Sequence, residues 1–200
     1  MLERTISYYN ENAESFAENT LNLRSEMEAF YQMLRRHIKP GAHILDLGCG
    51  SGRDSKYFMD NGYTVEAVDG SPALCEIAGR YINQPVRNIL FNDLDYINTF
   101  DAVWANASLL HVPKNDLPSV FKKIHAALKD GGVFYASFKY GDFEGERHGR
   151  HFTDMNERRL NEVVESDNIF KIVEILVSND TRPEKSEEKW LNAVMIKQNY

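Results

Sequence analysis

Ile44-Leu45-Asp46-Leu47-Gly48-Cys49-Gly50-Ser51-Gly52-Arg53-Asp54 decides how this chain folds. The segment begins apolar and straight, becomes glycine-rich, and ends as the polar opening of a helix. It reads as a buried strand that runs through a tight turn onto a helix N-terminus. Glycine has no Cβ and tolerates positive φ, so such a turn brings backbone close to a ligand. The following helix points its unpaired N–H groups at the same place.

Strands and helices alternate outward from this turn. His43–Leu47 is the first strand, and the helix after the turn runs to Asn61-Gly62. Tyr63–Asp69 is the second strand. Ser71 and Pro72 then open a helix as N-cap and first helical residue. Pro85–Phe91, Phe100–Ala105 and Val133–Phe138 are the third, fourth and fifth strands. A helix over residues 116–129 lies between the last two, carries Leu117, Val120, Phe121, Ile124 and Leu128, and stops at Gly131-Gly132. Such alternation defines an α/β protein with a doubly wound, mostly parallel sheet. Ile169–Val177 and Lys189–Lys197 alternate as strands and add an antiparallel C-terminal hairpin, for seven strands in all. The stretch Asn179–Glu188 is the hairpin loop.

Two helical patterns precede the sheet. Residues 3–20 carry Tyr9, Ala13, Phe16 and Ala17 on a narrow face, which suits a lid. Residues 22–38 carry Leu23, Met27, Phe30, Leu34 and Ile38, a stripe suited to covering a sheet face. After the fifth strand, Lys139–Phe152 is polar and contains Gly141, Gly145 and Gly149. Asp154-x-x-Glu157 has the spacing of a capping box for a helix on Leu160, Val163 and Val164. The expected organisation is one domain: a helical cap over 1–39, a ligand-binding core over 40–138, and an insert, helix and hairpin over 139–200.

Composition narrows the function. The formal net charge is −7, which argues against bulk electrostatic binding of nucleic acid. The two cysteines, Cys49 and Cys75, have no metal-site spacing, and their scarcity suits a reducing compartment. The N-terminus lacks an apolar leader, and no run approaches a membrane span, so a cytoplasmic protein is expected.

Doubly wound sheets bind ligands outside the carboxyl ends of their strands. That rim brings together Asp46–Gly52, Asp69–Ser71, Asn92–Leu94 and Ala105–His111. A dinucleotide fingerprint is Gly-x-Gly-x-x-Gly, but here Arg53 occupies the last position and Asp46 adds a negative charge. A pyrophosphate is poorly served by that pattern, and a zwitterionic or cationic ligand suits it better. Asp69 stands where a ribose diol needs a bidentate acceptor, and Gly70 leaves room for a base. Asp93 has the position to accept from an exocyclic amine. Each acid also has a plainer reading: Asp46 and Asp93 as caps of nearby backbone, and Arg53 as a solvent-facing helix residue.

Ile44–Asp54, Ala67–Ala73, Asn92–Asp95 and Asp101–Val112 together resemble the class I S-adenosylmethionine-dependent methyltransferases, with a Rossmann-like sheet. The resemblance is good over residues 40–138, and Tyr8–Ala13 is similar to the first helix of small bacterial members. It implies that S-adenosyl-L-methionine is the cofactor. Gly48, Cys49 and Gly50 then offer backbone to the methionine and ribose, and Arg53 pairs with the methionyl carboxylate. Asp69 and Gly70 hold the ribose side, with Ser71 and Leu74 flanking adenine. Asp93 accepts from the adenine amine, with Leu94 donating through its backbone. Ala105 and Asn106 line the methyl-transfer channel, and Tyr8 or Tyr9 closes over the cofactor.

A sulfonium methyl is already activated, so a base is needed only for an acceptor that carries a proton. His111 is the candidate, with His148 and His151 as alternatives. Lys139, Arg147 and Arg150 are candidate contacts for an anionic acceptor. Ala105-Asn106-Ala107-Ser108 lacks the Asn-Pro-Pro-Tyr pattern of enzymes that methylate base amines. A small-molecule acceptor is therefore the first reading and a tRNA the second. A protein that holds the cofactor without turnover and a nicotinamide oxidoreductase are further rivals. Monomer and homodimer both stay open.

Overall fold

The computed structural model describes residues 2–23, 25–182 and 185–199. Helices α1 (Leu2–Glu11), α2 (Ala13–Leu21) and α3 (Glu28–Arg35) lead into β1 (His43–Leu47) and α4 (Arg53–Asp60). Then come β2 (Thr64–Asp69), α5 (Pro72–Ile82), β3 (Arg87–Asn88), β4 (Phe100–Ala105), α6 (Leu117–Ala127) and β5 (Leu128–Lys139). A small hairpin of β6 (Glu144–Arg147) and β7 (Arg150–Thr153) precedes α7 (Glu157–Glu165), β8 (Phe170–Asn179) and β9 (Lys189–Lys197).

The seven-stranded sheet has the order β3-β2-β1-β4-β5-β9-β8. The first five strands pair in parallel, while β9 runs antiparallel to both β5 and β8. Strand order therefore reverses between β1 and β4, and that junction opens the rim crevice. The hairpin does not simply extend the edge, because β9 inserts between β5 and β8. It carries the crevice wall further along the sheet.

Both faces of the sheet are covered, so its central strands are buried throughout. On one face Ile44, Ala102, Trp104 and Tyr135 pack with Tyr31 of α3 and Phe58 of α4. Trp104 stacks on Tyr135 with centroids 3.9 Å apart, and Tyr31 stacks on Tyr57 at 3.6 Å. On the other face Leu45, Val103 and Phe134 meet Val120, Phe121 and Ile124 of α6 and Leu160 of α7. Truncating a fully buried aromatic such as Trp104 to alanine costs about 3–5 kcal/mol by its lost contacts and cavity.

Several local expectations are corrected. The helix expected over 3–20 breaks at Asn12 into α1 and α2. The stripe over 22–38 becomes a 3₁₀ turn at 25–27 followed by α3. The third strand shrinks to Arg87–Asn88, and Phe91–Asp93 is a 3₁₀ turn. The sixth helix ends at Ala127 because β5 begins directly at Leu128. Gly131-Gly132 lies inside β5, where the pairing with β4 slips between Phe100 and Ala102. The N-cap of α7 is Asn156, which accepts from the Arg159 amide at 3.0 Å. Asp154 is unavailable for that role because Arg147 takes both its carboxylate oxygens.

The polar insert is ordered as a hairpin around His148-Gly149, both at positive φ (51° and 76°), the signature of a two-residue type I′ turn. Part of the loop between β8 and β9, residues 183–184, lies outside the described residues. No described helix is long and apolar enough to cross a membrane.

Candidate active site

A single crevice follows the carboxyl ends of the strands and is roofed by α1 and α2. Its floor is the glycine turn. Gly48, Gly50 and Gly52 all have positive φ, at 80°, 56° and 83°. The Gly48 and Cys49 amides donate to the Val68 carbonyl, which fixes the turn against the end of β2. A Cβ on Gly48 would fall 2.4 Å from Cβ of Ser108, so the turn and the β4 loop meet with no space for a side chain. Ser108 in turn donates to the Leu47 carbonyl at 2.7 Å.

Asp69 closes the next part of the crevice. One of its oxygens accepts from the Gly50 amide at 2.9 Å and the other from Ser71 at 2.8 Å. Burial pushes its pKa upward against those amides. Each oxygen retains a further lone-pair direction. A Cβ on Gly70 would meet Ile6 of α1 at 2.7 Å, so the first helix lies directly over this part of the rim. Ile6, Leu74, Leu90 and Phe91 give it apolar walls.

Asp54 organises the far side of the turn. Its carboxylate accepts from Tyr31 at 2.6 Å, Trp104 at 2.9 Å and Asn106 at 3.1 Å. It also takes Nε and a terminal nitrogen of Arg53 at 2.6 and 3.1 Å. Burial opposes its ionisation, yet Arg53 and these donors hold its pKa below the ordinary carboxylate value. Asp46 behaves in the opposite way. Burial, then the charge of Asp54, pushes its carboxyl up, while Ser55 donates to it at 2.5 Å. The second acid of the motif thus stays ionised at the expense of the first.

A second cluster stands beside the β4 loop. The Tyr9 hydroxyl lies 2.8 Å from His111 Nε2, and His111 Nδ1 lies 2.7 Å from the His151 carbonyl. A carbonyl only accepts, so Nδ1 carries the proton and Nε2 is the lone pair that receives the Tyr9 hydroxyl. Burial depresses the His111 pKa to about 4, the bond to His151 opposing and Arg150 adding to the fall. Burial raises the Tyr9 pKa. Arg150 donates to the Tyr9 oxygen at 3.3 Å and lies 4.2 Å from the centroid of the Tyr8 ring.

Of the expected site residues, Tyr9, Gly48, Cys49, Gly50, Arg53, Asp69, Gly70, Leu74, Asn106, His111, Lys139 and Arg150 line the crevice. The others stand back from its surface. Asp46 is 2% exposed and turned onto Ser55. Ser71 is the N-cap of α5, and its hydroxyl donates to Asn10 of α1. Asp93 lies exposed in the 3₁₀ turn at 91–93, and Leu94 and Ala105 pack into the core. Arg147 forms a two-bonded pair with Asp154 and stacks over Phe143, 3.8 Å from its centroid. Arg53 lines the crevice but already pairs with its neighbour Asp54.

Other residues also line the crevice, Phe16 from the expected lid face and Thr20, Ala107, Asp180 and Arg182 without a sequence signal. Phe16 and Thr20 reach the glycine turn from α2, and Thr20 bonds Ser51 at 2.9 Å. Ala107 adopts φ of 52°, a strained conformation for alanine, held by a bond from its amide to Ser137. The β8–β9 end adds Asp180, Arg182 and Trp190.

Fold and crevice define a doubly wound α/β protein with an open crevice across its switch point. Residues 44–132 match the family model described as a methyltransferase domain. An uncharacterized methyltransferase of Synechocystis sp. is 35% identical over 122 residues, 58% of this chain and 56% of that protein. A sterol 24-C-methyltransferase of Aspergillus fumigatus is 35% identical over 130 residues, 54% of this chain and 33% of that enzyme. The chain thus spans little more than half the length of one and a third of the other. A 1,6-didemethyltoxoflavin-N1-methyltransferase of Burkholderia thailandensis, solved with S-adenosylhomocysteine, superposes with a TM-score of 0.81. It is 24% identical, over 99% of this chain and 89% of that one, a likeness of fold. The matched segment, residues 44–132, is thus similar to a methyltransferase domain, and the strand order and glycine turn share the Rossmann-like fold of S-adenosylmethionine-dependent methyltransferases.

Proposed function

We propose that this chain transfers a methyl group from S-adenosyl-L-methionine to a small molecule. The observation that carries this is the Asp69 carboxylate, held by the Gly50 and Ser71 amides beside a glycine turn that admits no side chain. That arrangement suits a ribose diol with a purine against Leu74 and Leu90. The backbone of Gly48–Gly50 and the guanidinium of Arg53 then face the amino-acid portion. Arg53 keeps its bond to Asp54 while its remaining donors serve a carboxylate.

S-adenosylmethionine supplies a methyl group already activated for in-line displacement. The chain contributes alignment and proton handling. An acceptor with an N–H or O–H passes its proton to the Tyr9 oxygen as the Tyr9 proton moves to His111 Nε2. His111 Nδ1–H stays on the His151 carbonyl throughout. Arg150 stabilises negative charge on the Tyr9 oxygen and disfavours a lasting imidazolium. In this reading His111 is the base and Tyr9 its contact with the acceptor.

The insert favours a small acceptor over tRNA. RNA binding draws on exposed cations. Here Arg147 is paired with Asp154, Arg150 lies in the crevice, and His151 is buried. A panel of metabolites and a tRNA pool, scored for S-adenosylhomocysteine release, tests the proposal. Turnover with a small molecule is expected. Turnover with tRNA alone, or none with any acceptor while the cofactor binds, contradicts it.

A further inference from the structure

The crevice extends beyond the glycine turn. In strand order it runs from Asp69 and Leu90, at the ends of β2 and β3, across β1 and β4 to β5, β9 and β8. The groups suited to adenosine occupy the first half. The second half ends on Lys139, Trp190, Asp180, Arg182 and Lys185.

Asp180 does not offer its charge to this space. Its side chain is 3% exposed and accepts from the Arg182 amide, Arg182 Nε, a terminal Arg182 nitrogen and Trp190 Nε1, at 2.6–3.0 Å. It fixes the Arg182 guanidinium and the indole in place. Lys139 Nζ lies 5.2 Å from the Trp190 ring centroid and bridges to Glu188. Lys185 approaches the same Glu188 carboxylate at 3.8 Å. Two lysines thus converge on one carboxylate whose side chain is 40% exposed. Among the described residues, Lys139 and Lys185 share Glu188, and Arg182 is held by Asp180 beside the indole. Burial and then Lys185 lower the Lys139 pKa, with Arg182 adding to the fall against Asp180 and Asp154, so an added anion stabilises its ammonium.

We infer that the β5–β9–β8 end of the crevice seats the methyl acceptor, and that this acceptor is a planar, ring-containing acid. Its ring lies against Trp190. Its carboxylate or phosphate takes the place of Glu188 between Lys139 and Lys185. The inference rests on the methyltransferase reading for the word acceptor, and the anion seat itself is testable apart from it.

Benzoate, phenyl phosphate, benzyl alcohol and benzylamine serve as probes, titrated by ligand-observed NMR into the full chain with and without S-adenosylhomocysteine. At least one anion is expected to bind about tenfold tighter than the alcohol, and the amine weakest of all. Lys139→Met should weaken that anion about tenfold while S-adenosylhomocysteine affinity stays within about twofold. Glu188→Gln should strengthen anion binding, an effect that general damage to the fold does not produce. Equal binding of charged and neutral probes, no effect of Lys139→Met, or weaker anion binding in Glu188→Gln overturns the inference. The carboxylate and phosphate arms distinguish the two acids. Intact anion selectivity without S-adenosylhomocysteine uptake overturns the cofactor reading and leaves the anion seat. Uptake of S-adenosylhomocysteine without anion selectivity does the reverse.

Discussion

Tyr9 on the first helix and His111 after β4 meet at 2.8 Å, oxygen to Nε2, although 102 residues separate them. The contact closes α1 onto the rim and leaves a neutral imidazole with its lone pair directed at a crevice hydroxyl. Tyr9→Phe and His111→Gln should each lower kcat by about 10²-fold for an acceptor that loses a proton. Affinity for S-adenosylhomocysteine should move far less. Equal losses in both quantities would make the pair a cofactor clamp and remove its proton role.

Arg150 tunes the same ring. Its charge helps to depress the His111 pKa, so Arg150→Met should move the acid limb of the kcat profile to higher pH. The limb is read from initial rates across the acid range. An unmoved limb would disconnect Arg150 from the base.

Stability should carry the same signature. The folded His111 pKa of about 4 lies below its unfolded value, so between these values the unfolded chain binds the extra proton. Stability from this group is therefore full above about pH 6.5 and is lost as pH falls toward the folded pKa, with an upper limit on the order of 3 kcal/mol. Urea unfolding at neutral and mildly acidic pH should show a smaller acid loss in His111→Gln than in the native chain. An identical loss would contradict the buried neutral imidazole.

Asp54→Asn should be strongly destabilising, by about 3–5 kcal/mol, because it leaves the buried Arg53 guanidinium without its charge partner. Tyr31, Trp104 and Asn106 would lose a charged acceptor at the same time. The urea midpoint measures this. The substitution should also let the Asp46 carboxyl ionise more readily, visible as loss of its protonated carbonyl band in the infrared.

Arg147→Ala separates a structural ion pair from a substrate clamp. The two-bonded pair with Asp154 holds the β6–β7 hairpin to the chain entering α7. Thermal stability should fall by a few degrees, with about 2–4 °C corresponding to 1 kcal/mol in a chain of this size. Cofactor and acceptor constants should stay within about twofold. A selective rise in acceptor KM would return Arg147 to the site.

Much of this arrangement was legible in the chain. The apolar run His43–Leu47, the three glycines after it and Asp69 at the end of β2 are local signals, and local signals carried the parallel core. The helix face with Tyr9 and Phe16 pointed to a rim position. Other features depend on contacts distant in sequence. Asp46 reads as the charged acid of the turn, but burial suppresses its charge, and the charge held by Arg53, Tyr31 and Trp104 is that of Asp54. Arg147 looked like a clamp until Asp154 was found opposite it. Ala107 gives no hint of its positive φ, because Ser137 on the neighbouring strand holds it there. The stripe expected over 22–38 forms an α-helix only over Glu28–Arg35, where Phe30, Tyr31, Met33 and Leu34 are buried against the sheet.

Calorimetric titration of S-adenosylhomocysteine into the native chain and into Asp69→Ala asks whether the crevice holds the cofactor on Asp69. One site per chain is expected, with affinity reduced about 50-fold or more by the substitution, the loss of a charged hydrogen-bond acceptor pair. No heat of binding in the native chain, or an affinity that Asp69→Ala leaves unchanged, would contradict the account.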